Sequence, residues 1–213
     1  MISRISLHTV LPTVFSPRAE SDVWGRELEL ERGKSYLIEA DSGTGKSTLL
    51  GILYGYRHEY NGRVLFDDAD IRAFSPDRWV SLRQQELAIL FQELRLFPTL
   101  TARENIEVKN QLTGLRSGQW VETMFERLDI ADKTDTPVRF LSWGQQQRVA
   151  FIRALCQPCA FLLLDEPVSH LDDNNARTMS DILREDQQQR GYGILSTSVG
   201  KRLPYSYDSE FCL

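Results

Sequence analysis

Between residues 35 and 53 the chain runs from an apolar-rich segment, SYLIEA, through ADSGTGKST at 40–48 into a segment carrying Leu49, Leu50, Ile52 and Leu53. A strand, a loop stripped of bulk and a helix in immediate succession restrict the chain to folds that can seat a strand–turn–helix unit at a sheet edge. Backbone N–H groups of such a loop, together with the helix N-terminus, can surround an anion, and glycines allow the close approach. The usual phosphate-loop pattern is G-x-x-x-x-G-K-S/T. Here Ala40 stands at the first glycine, while Gly43, Gly45, Lys46 and Ser47 match. Alanine is tolerable there if its φ is negative, since a methyl group is the only added bulk. Ser42, Gly43, Thr44, Gly45, Lys46, Ser47 and Thr48 are the candidate phosphate-binding residues, with Lys46 reaching the β- and γ-phosphates and Ser47 ligating Mg²⁺. On this segment alone, a plain glycine turn entering a helix remains an alternative.

A second segment, FLLLDEP at 161–167, points the same way. A strand of four apolar residues covered on both faces suits a parallel sheet, and its end delivers Asp165 to the edge where ligands of open α/β sheets bind. A carboxylate there can hold the water shell of Mg²⁺. Glu166, one residue on, could orient or polarise an attacking water. The alternative is an acidic strand terminus of no special meaning.

The rest of the chain fits one folded unit of 213 residues with inserted helices. Ile5, Leu7 and Thr9 alternate with Ser6, His8 and Val10, and Leu28 and Leu30 alternate with charges, so the beginning reads as sheet. From about 97 to 154 the period is helical, with Trp120, Met124, Phe125 and Leu128 on one face and Ser142 as an N-cap. A helix over about 176–185 and a last buried strand, YGILSTS, complete the pattern. The net charge of −5 offers no broad footprint for nucleic acid. No apolar run approaches the roughly 20 residues that cross a bilayer, and the N-terminus shows no secretory signal, so a cytoplasmic location is expected. Cys156 and Cys159 match a C-x-x-C spacing, but they follow a helix and enter an apolar strand, which favours two packing cysteines over a redox or zinc site.

Six ordered motifs make the chain resemble the nucleotide-binding subunit of an ATP-binding cassette (ABC) protein: the phosphate loop, LFQELRLFPTLTARENI (90–106) as the Q-loop and its sequel, LSWGQQQR (141–148) as the LSGGQ signature, FLLLDEP, SHLD (169–172) as the D-loop, and a final switch segment. The resemblance implies a P-loop NTPase (RecA-like) α/β core with an N-terminal antiparallel β subdomain and a helical subdomain at about 97–154. It also implies ATP and Mg²⁺ as ligands, with Ser47, Gln92 and Asp165 around the metal and Glu166, Gln92 and Lys46 in catalysis. Ser142, Gly144 and Gln145 would approach the γ-phosphate bound by a second copy of the chain. Asp172 would lie at that dimer interface. Phe15 would stack on adenine, unless it is an ordinary core phenylalanine.

Two departures stand out. Trp143 replaces the first glycine of the signature pair, where the important backbone contact comes from Gly144. The switch histidine is replaced by Ser198 in ILSTSVG, and no other histidine lies in that region. A serine hydroxyl can hydrogen-bond a phosphate oxygen but carries no positive charge. Hydrolysis is therefore expected to persist, slowly or only with a partner; the alternative is a nucleotide-gated scaffold with vestigial hydrolysis. The segment around the Q-loop resembles the lipoprotein-release, macrolide-export and cell-division branch, which implies separate integral membrane subunits and a place at the cytoplasmic face of the inner membrane. Apolar and aromatic residues between Leu94 and Leu100 are candidates for the contact with those subunits, or else for the core of the helical subdomain.

Overall fold

The computed structural model describes residues 1–14 and 21–213. Two sheets organise it. The first is antiparallel, in the order β2 (Glu27–Glu31), β1 (Arg4–Pro12), β4 (Tyr60–Phe66), β5 (Ala69–Asp70). The second is parallel, in the order β6 (Leu87–Leu90), β7 (Phe161–Leu164), β8 (Gly193–Ser198), β3 (Ser35–Glu39), β9 (Ser209–Cys212). Among the described residues, six α-helices join them: α1 (Lys46–Leu53), α2 (Pro76–Gln85), α3 (Ala102–Thr113), α4 (Gly118–Arg127), α5 (Trp143–Leu155) and α6 (Asp173–Arg190).

The apolar run of β7 shows why a parallel sheet needs hydrophobic residues on both sides. Side chains alternate across a strand. Phe161 and Leu163 enter one apolar cluster with β1, β4, α1 and α2, whereas Leu162 and Leu164 enter another with α3 to α6. Burying both faces places β7 at the centre of the molecule and leaves only its C-terminal end free to present polar groups. Because β6, β7, β8 and β3 are parallel and in register, with Leu90 beside Leu164, Leu164 beside Ser196 and Glu39 beside Ser198, all four strands end at one edge.

The helices begin where sequence chemistry places caps. Thr101 and Glu104 form a capping box on α3, and Ser142 and Gln145 form one on α5. On α4, Val121, Met124 and Phe125 are buried, with Leu128 just beyond them, while Trp120 is only partly buried under the Arg116 guanidinium.

Several local expectations are corrected. The alternation in β1 reverses at a bulge: Thr9 has φ 49° and is exposed, so Ile5 and Leu7 point inward and then Val10 does. Gly62 permits it, because a Cβ there would stand 2.5 Å from the carbonyl oxygens of His8 and Thr9. The helix expected at 176–185 extends over Asp173–Arg190, started by the Asp172 side chain, which accepts from the Asn175 N–H. YGILSTS forms β8, the last buried strand as expected, and the partly exposed β9 adds to β3 beyond it. Cys156 and Cys159 are buried, unpaired thiols pushed up to about 12 by burial, as packing residues would be.

Candidate functional site

At the shared strand edge the glycine loop leads from β3 into α1. Gly43 and Gly45 take φ 79° and 108°, left-handed values that glycine adopts without strain, and Ala40 is not among the positive-φ residues. Ala40 instead continues the sheet, its N–H donating to the Ser198 carbonyl at 3.3 Å. The loop is braced from inside by the Thr44 hydroxyl donating to the Asp41 carbonyl at 2.8 Å and from outside by the Trp24 indole N–H donating to the Thr44 carbonyl at 3.2 Å. No side chain caps α1, so its first N–H groups face a cavity of about 190 Å³ lined by Ser42, Gly43, Gly45, Lys46, Ser47, Thr48, Gln92 and Glu166.

Lys46 is 5% exposed and folds over the loop, its Nζ donating to the Ala40 and Asp41 carbonyls at 2.9 and 2.7 Å. Burial lowers its pKa, while Glu166, Asp165 and Asp41 pull it back up. Asp165 accepts from the Thr197 hydroxyl at 2.9 Å and is hydrogen-bonded to Ser47; burial nevertheless pushes its carboxyl up. Burial also raises Glu166, and Asp165 adds to that; Lys46 and His170 oppose it. Burial thus disfavours the charged form of both carboxyls and of the ammonium beside them.

Glu166 is fixed by its backbone. It takes φ 49°, its N–H donates to Thr197 Oγ1 at 3.1 Å, and its carbonyl accepts from Gln147 Nε2 at 3.1 Å. A left-handed non-glycine residue at a strand end stores strain of the kind found at functional positions. Gln92, just past β6, turns its Nε2 to within 3.4 Å of the Glu166 carboxylate. A second cavity, about 390 Å³, opens from Ser47, Gln92 and Asp165 toward Tyr56, Phe91 and Arg95.

The donors fit Mg²⁺ chemically. Among the described residues no group of three or more His, Cys, Asp and Glu gathers. Ser47, Asp165 and Gln92 instead offer one carboxylate with hydroxyl and amide oxygens, the sparse hard set that suits an ion retaining waters and phosphate oxygens.

The structure thus brings together the glycine loop, Lys46, Ser47, Thr48, Gln92, Asp165 and Glu166. Ser142, Gly144 and Gln145 lie apart, at the start of α5. Ser142 Oγ accepts from the Gln145 N–H at 3.3 Å, and Gln145 Oε1 accepts from the Ser142 N–H at 2.9 Å, so these two side chains serve each other. A Cβ on Gly144 would stand 3.2 Å from the His170 carbonyl oxygen. Phe15 lies outside the described residues. Between Leu94 and Leu100, Leu94 is buried and Leu96 packs on the core, leaving Phe97 half exposed at 50%. Ser198 stands at the switch position, buried at the end of β8.

Comparison with known proteins agrees with this geometry. The family model for the ABC transporter matches residues 25–169. The ABC transporter ATP-binding protein YtrE of Bacillus subtilis is 32% identical over 77% of the chain and 72% of its own length. The lipoprotein-releasing system ATP-binding protein LolD of Syntrophus aciditrophicus is 32% identical over 84% and 82%. The macrolide export ATP-binding/permease protein MacB of Nitrosomonas europaea is 34% identical over 76% of the chain, which spans only 25% of that longer protein. Among solved structures, the dimeric post-hydrolysis state of the ATP-binding cassette MJ0796 bound to ADP and Pi superposes with a TM-score of 0.75 at 26% identity, covering 92% of this chain and 88% of that one. A matching family model, relatives above 30% identity and an open helix end facing two strand-end carboxyls agree: the chain belongs to the ABC transporter family, as one of its ATP-binding cassettes, which are ATPases.

Proposed function

We propose that this chain is the ATP-hydrolysing subunit of a membrane complex, in which two copies close on ATP and move separate integral membrane subunits. The observation that carries the reading is the convergence of the uncapped α1 end, Lys46, Gln92 and Glu166 on one cavity, with Asp165 hydrogen-bonded to Ser47 on its wall. The loop N–H groups receive the phosphates, and Lys46 exchanges the Ala40 and Asp41 carbonyls for a phosphate oxygen. Ser47, Asp165 and Gln92 would hold Mg²⁺, which when bound neutralises charge on the β- and γ-phosphate oxygens. Glu166 orients the attacking water and accepts its proton, with Gln92 holding one carboxylate oxygen. Ser142, Gly144 and Gln145 of a second copy supply donors from the far side, and Phe15 stacks on adenine.

Export, lipoprotein extraction or mechanical signalling are the tasks that fit the relatives named above. No helix of the described residues is long and apolar enough to cross a membrane, so membrane contact is assigned to partner subunits at the cytoplasmic face. Their contact is centred on the exposed Phe97 and on a groove lined by Tyr54, Phe91, Val108 and Leu112. A second reading, a nucleotide-gated scaffold with weak hydrolysis, is favoured by Ser198, whose hydroxyl donates to the Lys201 carbonyl at 3.0 Å instead of facing the cavity. Phosphate release from Mg-ATP by the full chain, compared with Glu166→Gln, separates them. The enzyme reading expects a fall in kcat of about 10²–10⁴-fold with ATP binding retained. Equal turnover by the two proteins leaves the scaffold.

A further inference from the structure

After β8 the chain turns tightly at Gly200, whose φ of 74° is left-handed, and the two basic residues that follow reach different parts of the molecule. Arg202 pairs with Glu39, the last residue of β3, and with Glu210 of β9. It thus fastens the turn to the strand that leads into the phosphate loop. Lys201 reaches the SHLD segment instead: its ammonium donates to the Leu171 carbonyl and, at 3.0 Å, to the Asp173 carboxylate. The turn itself is closed by the Ser198 hydroxyl, which donates to the Lys201 carbonyl at 3.0 Å, and by the Lys201 N–H, which donates to the Val199 carbonyl at 2.8 Å. The serine that stands where the family pattern carries a histidine therefore shapes the turn that aims Lys201.

Leu171 is in turn the neighbour of the signature turn. It is buried, and a Cβ on Gly144 would stand 3.3 Å from its Cδ2 and 3.2 Å from the preceding carbonyl oxygen, so the start of α5 lies directly against it. Arg148, one turn into α5, makes a second link to α6: its guanidinium donates to the Gly144 carbonyl at 3.3 Å and to Asn175 Oδ1 at 2.9 Å. At the other end of the path, the Ser198 carbonyl accepts from the Ala40 N–H at 3.3 Å, and the Ala40 carbonyl is one of the two that hold Lys46. One continuous line of hydrogen bonds and close packing thus runs from Lys46 through Ala40, Ser198, Lys201 and Leu171 to Gly144. An ion pair as exposed as Lys201–Asp173 contributes little, whereas donation from an ammonium to a partly buried carbonyl is charge-assisted. The Leu171 carbonyl is therefore the contact that carries the line.

We propose that Lys201 is a positioning residue: by holding the Leu171 carbonyl it fixes the Gly144 turn relative to the chain's own phosphate loop, so that ATP bound by one copy and the signature turn offered to a second copy are coupled. The proposal rests on the reading that two copies close on ATP.

The test measures, by sedimentation, ATP-dependent association of the full chain carrying Glu166→Gln, which keeps ATP intact during the run, alone and combined with Lys201→Met, Lys201→Arg or Asp173→Asn. ATP affinity is read at protein concentrations below those at which copies associate, and Tm is read without nucleotide. Lys201→Met, which keeps the stem and removes the donors, is expected to weaken association about tenfold, within the range for coupling between two sites. Lys201→Arg retains donors and stays within about threefold of the parent. Asp173→Asn, which removes the exposed ion pair alone, changes association less than about twofold. Single-copy ATP affinity moves less than about twofold and Tm less than about 2 °C in all three, as for surface substitutions that leave the core intact. Unchanged association in Lys201→Met, a parallel loss of single-copy ATP affinity, or an equal loss in Asp173→Asn overturns the proposal. Absence of ATP-dependent association in the Glu166→Gln chain itself overturns the two-copy reading, and the proposal with it.

Discussion

Helices α1 and α5 each open on residues proposed to meet nucleotide, and their N-termini are built in opposite ways. Helix α5 arrives with its first N–H groups already served by the Ser142–Gln145 box, as α2, α3, α4 and α6 are served by Ser75, Thr101, Ser117 and Asp172. Helix α1 begins at left-handed Gly45 with no side-chain cap at all. Leaving donors unsatisfied costs stability in the empty protein, and the return is a site that an anion completes. The difference teaches that one end leaves its N–H groups without a side-chain cap, as the proposed phosphate site requires, whereas the other is served by its own side chains.

The largest expected effect that would break this comparison is at Lys46. Lys46→Ala removes the one ammonium beside the open end, and ATP affinity measured by calorimetry should fall about 10- to 100-fold, the range for a hydrogen bond to a charged group. Its removal should not lower the melting temperature of the nucleotide-free chain, because burial disfavours that charge. An unchanged affinity would mean that α1 is an ordinary helix start.

Next in size are the two hydroxyls. Ser142→Ala should cost about 1 kcal/mol of stability as a lost N-cap, a drop of roughly 2–4 °C in Tm for a chain of this size. Ser47→Ala, on the uncapped helix, should stay within about 0.5 kcal/mol while reducing Mg-dependent turnover. Reversed outcomes in thermal melts and phosphate-release assays would erase the distinction between a finished and an unfinished helix end.

The smallest effect is a matter of pH. Asp165 has its pKa raised above the ordinary 3.8 by burial, so the folded chain holds this proton more tightly than the unfolded chain does. Its contribution favours the native state at low pH and is lost as pH rises through the elevated value. Asp165→Asn should therefore melt above the wild type at neutral pH without nucleotide, and this advantage should shrink on acidification. A variant that melts lower at neutral pH would show that the carboxylate is already compensated.

The sequence made the glycine loop and β7 readable because their chemistry is local: φ-permissive glycines, a lysine, a run of apolar residues and two acids need no distant partner to be recognised. Ser142 as an N-cap was readable for the same reason. Other elements lacked such signals. In β4, YNGRVLF contains an Asn-Gly pair that reads as a turn, although Gly62 in fact accommodates the bulge opposite Thr9. Helix α2 buries only Trp79 and Leu82 of its ten residues, so its apolar face is too thin to announce itself. Strand β9 has no fully buried residue and owes its existence to the free edge of β3. The turn after β7 depends on left-handed Glu166, and composition carries no trace of that dihedral.

Helix α5 also reaches beyond the nucleotide face. At its far end Arg153 donates to the carbonyls of Leu94 and Arg95, two consecutive residues with φ 60° and 48°, in the segment leading to Phe97. Thirteen helical residues make a rod of about 20 Å with Trp143 and Gly144 at the opposite tip. One rigid helix thus holds the loop before Phe97 at one tip and carries the signature turn at the other, so that neither can shift without straining its contacts with the same rod.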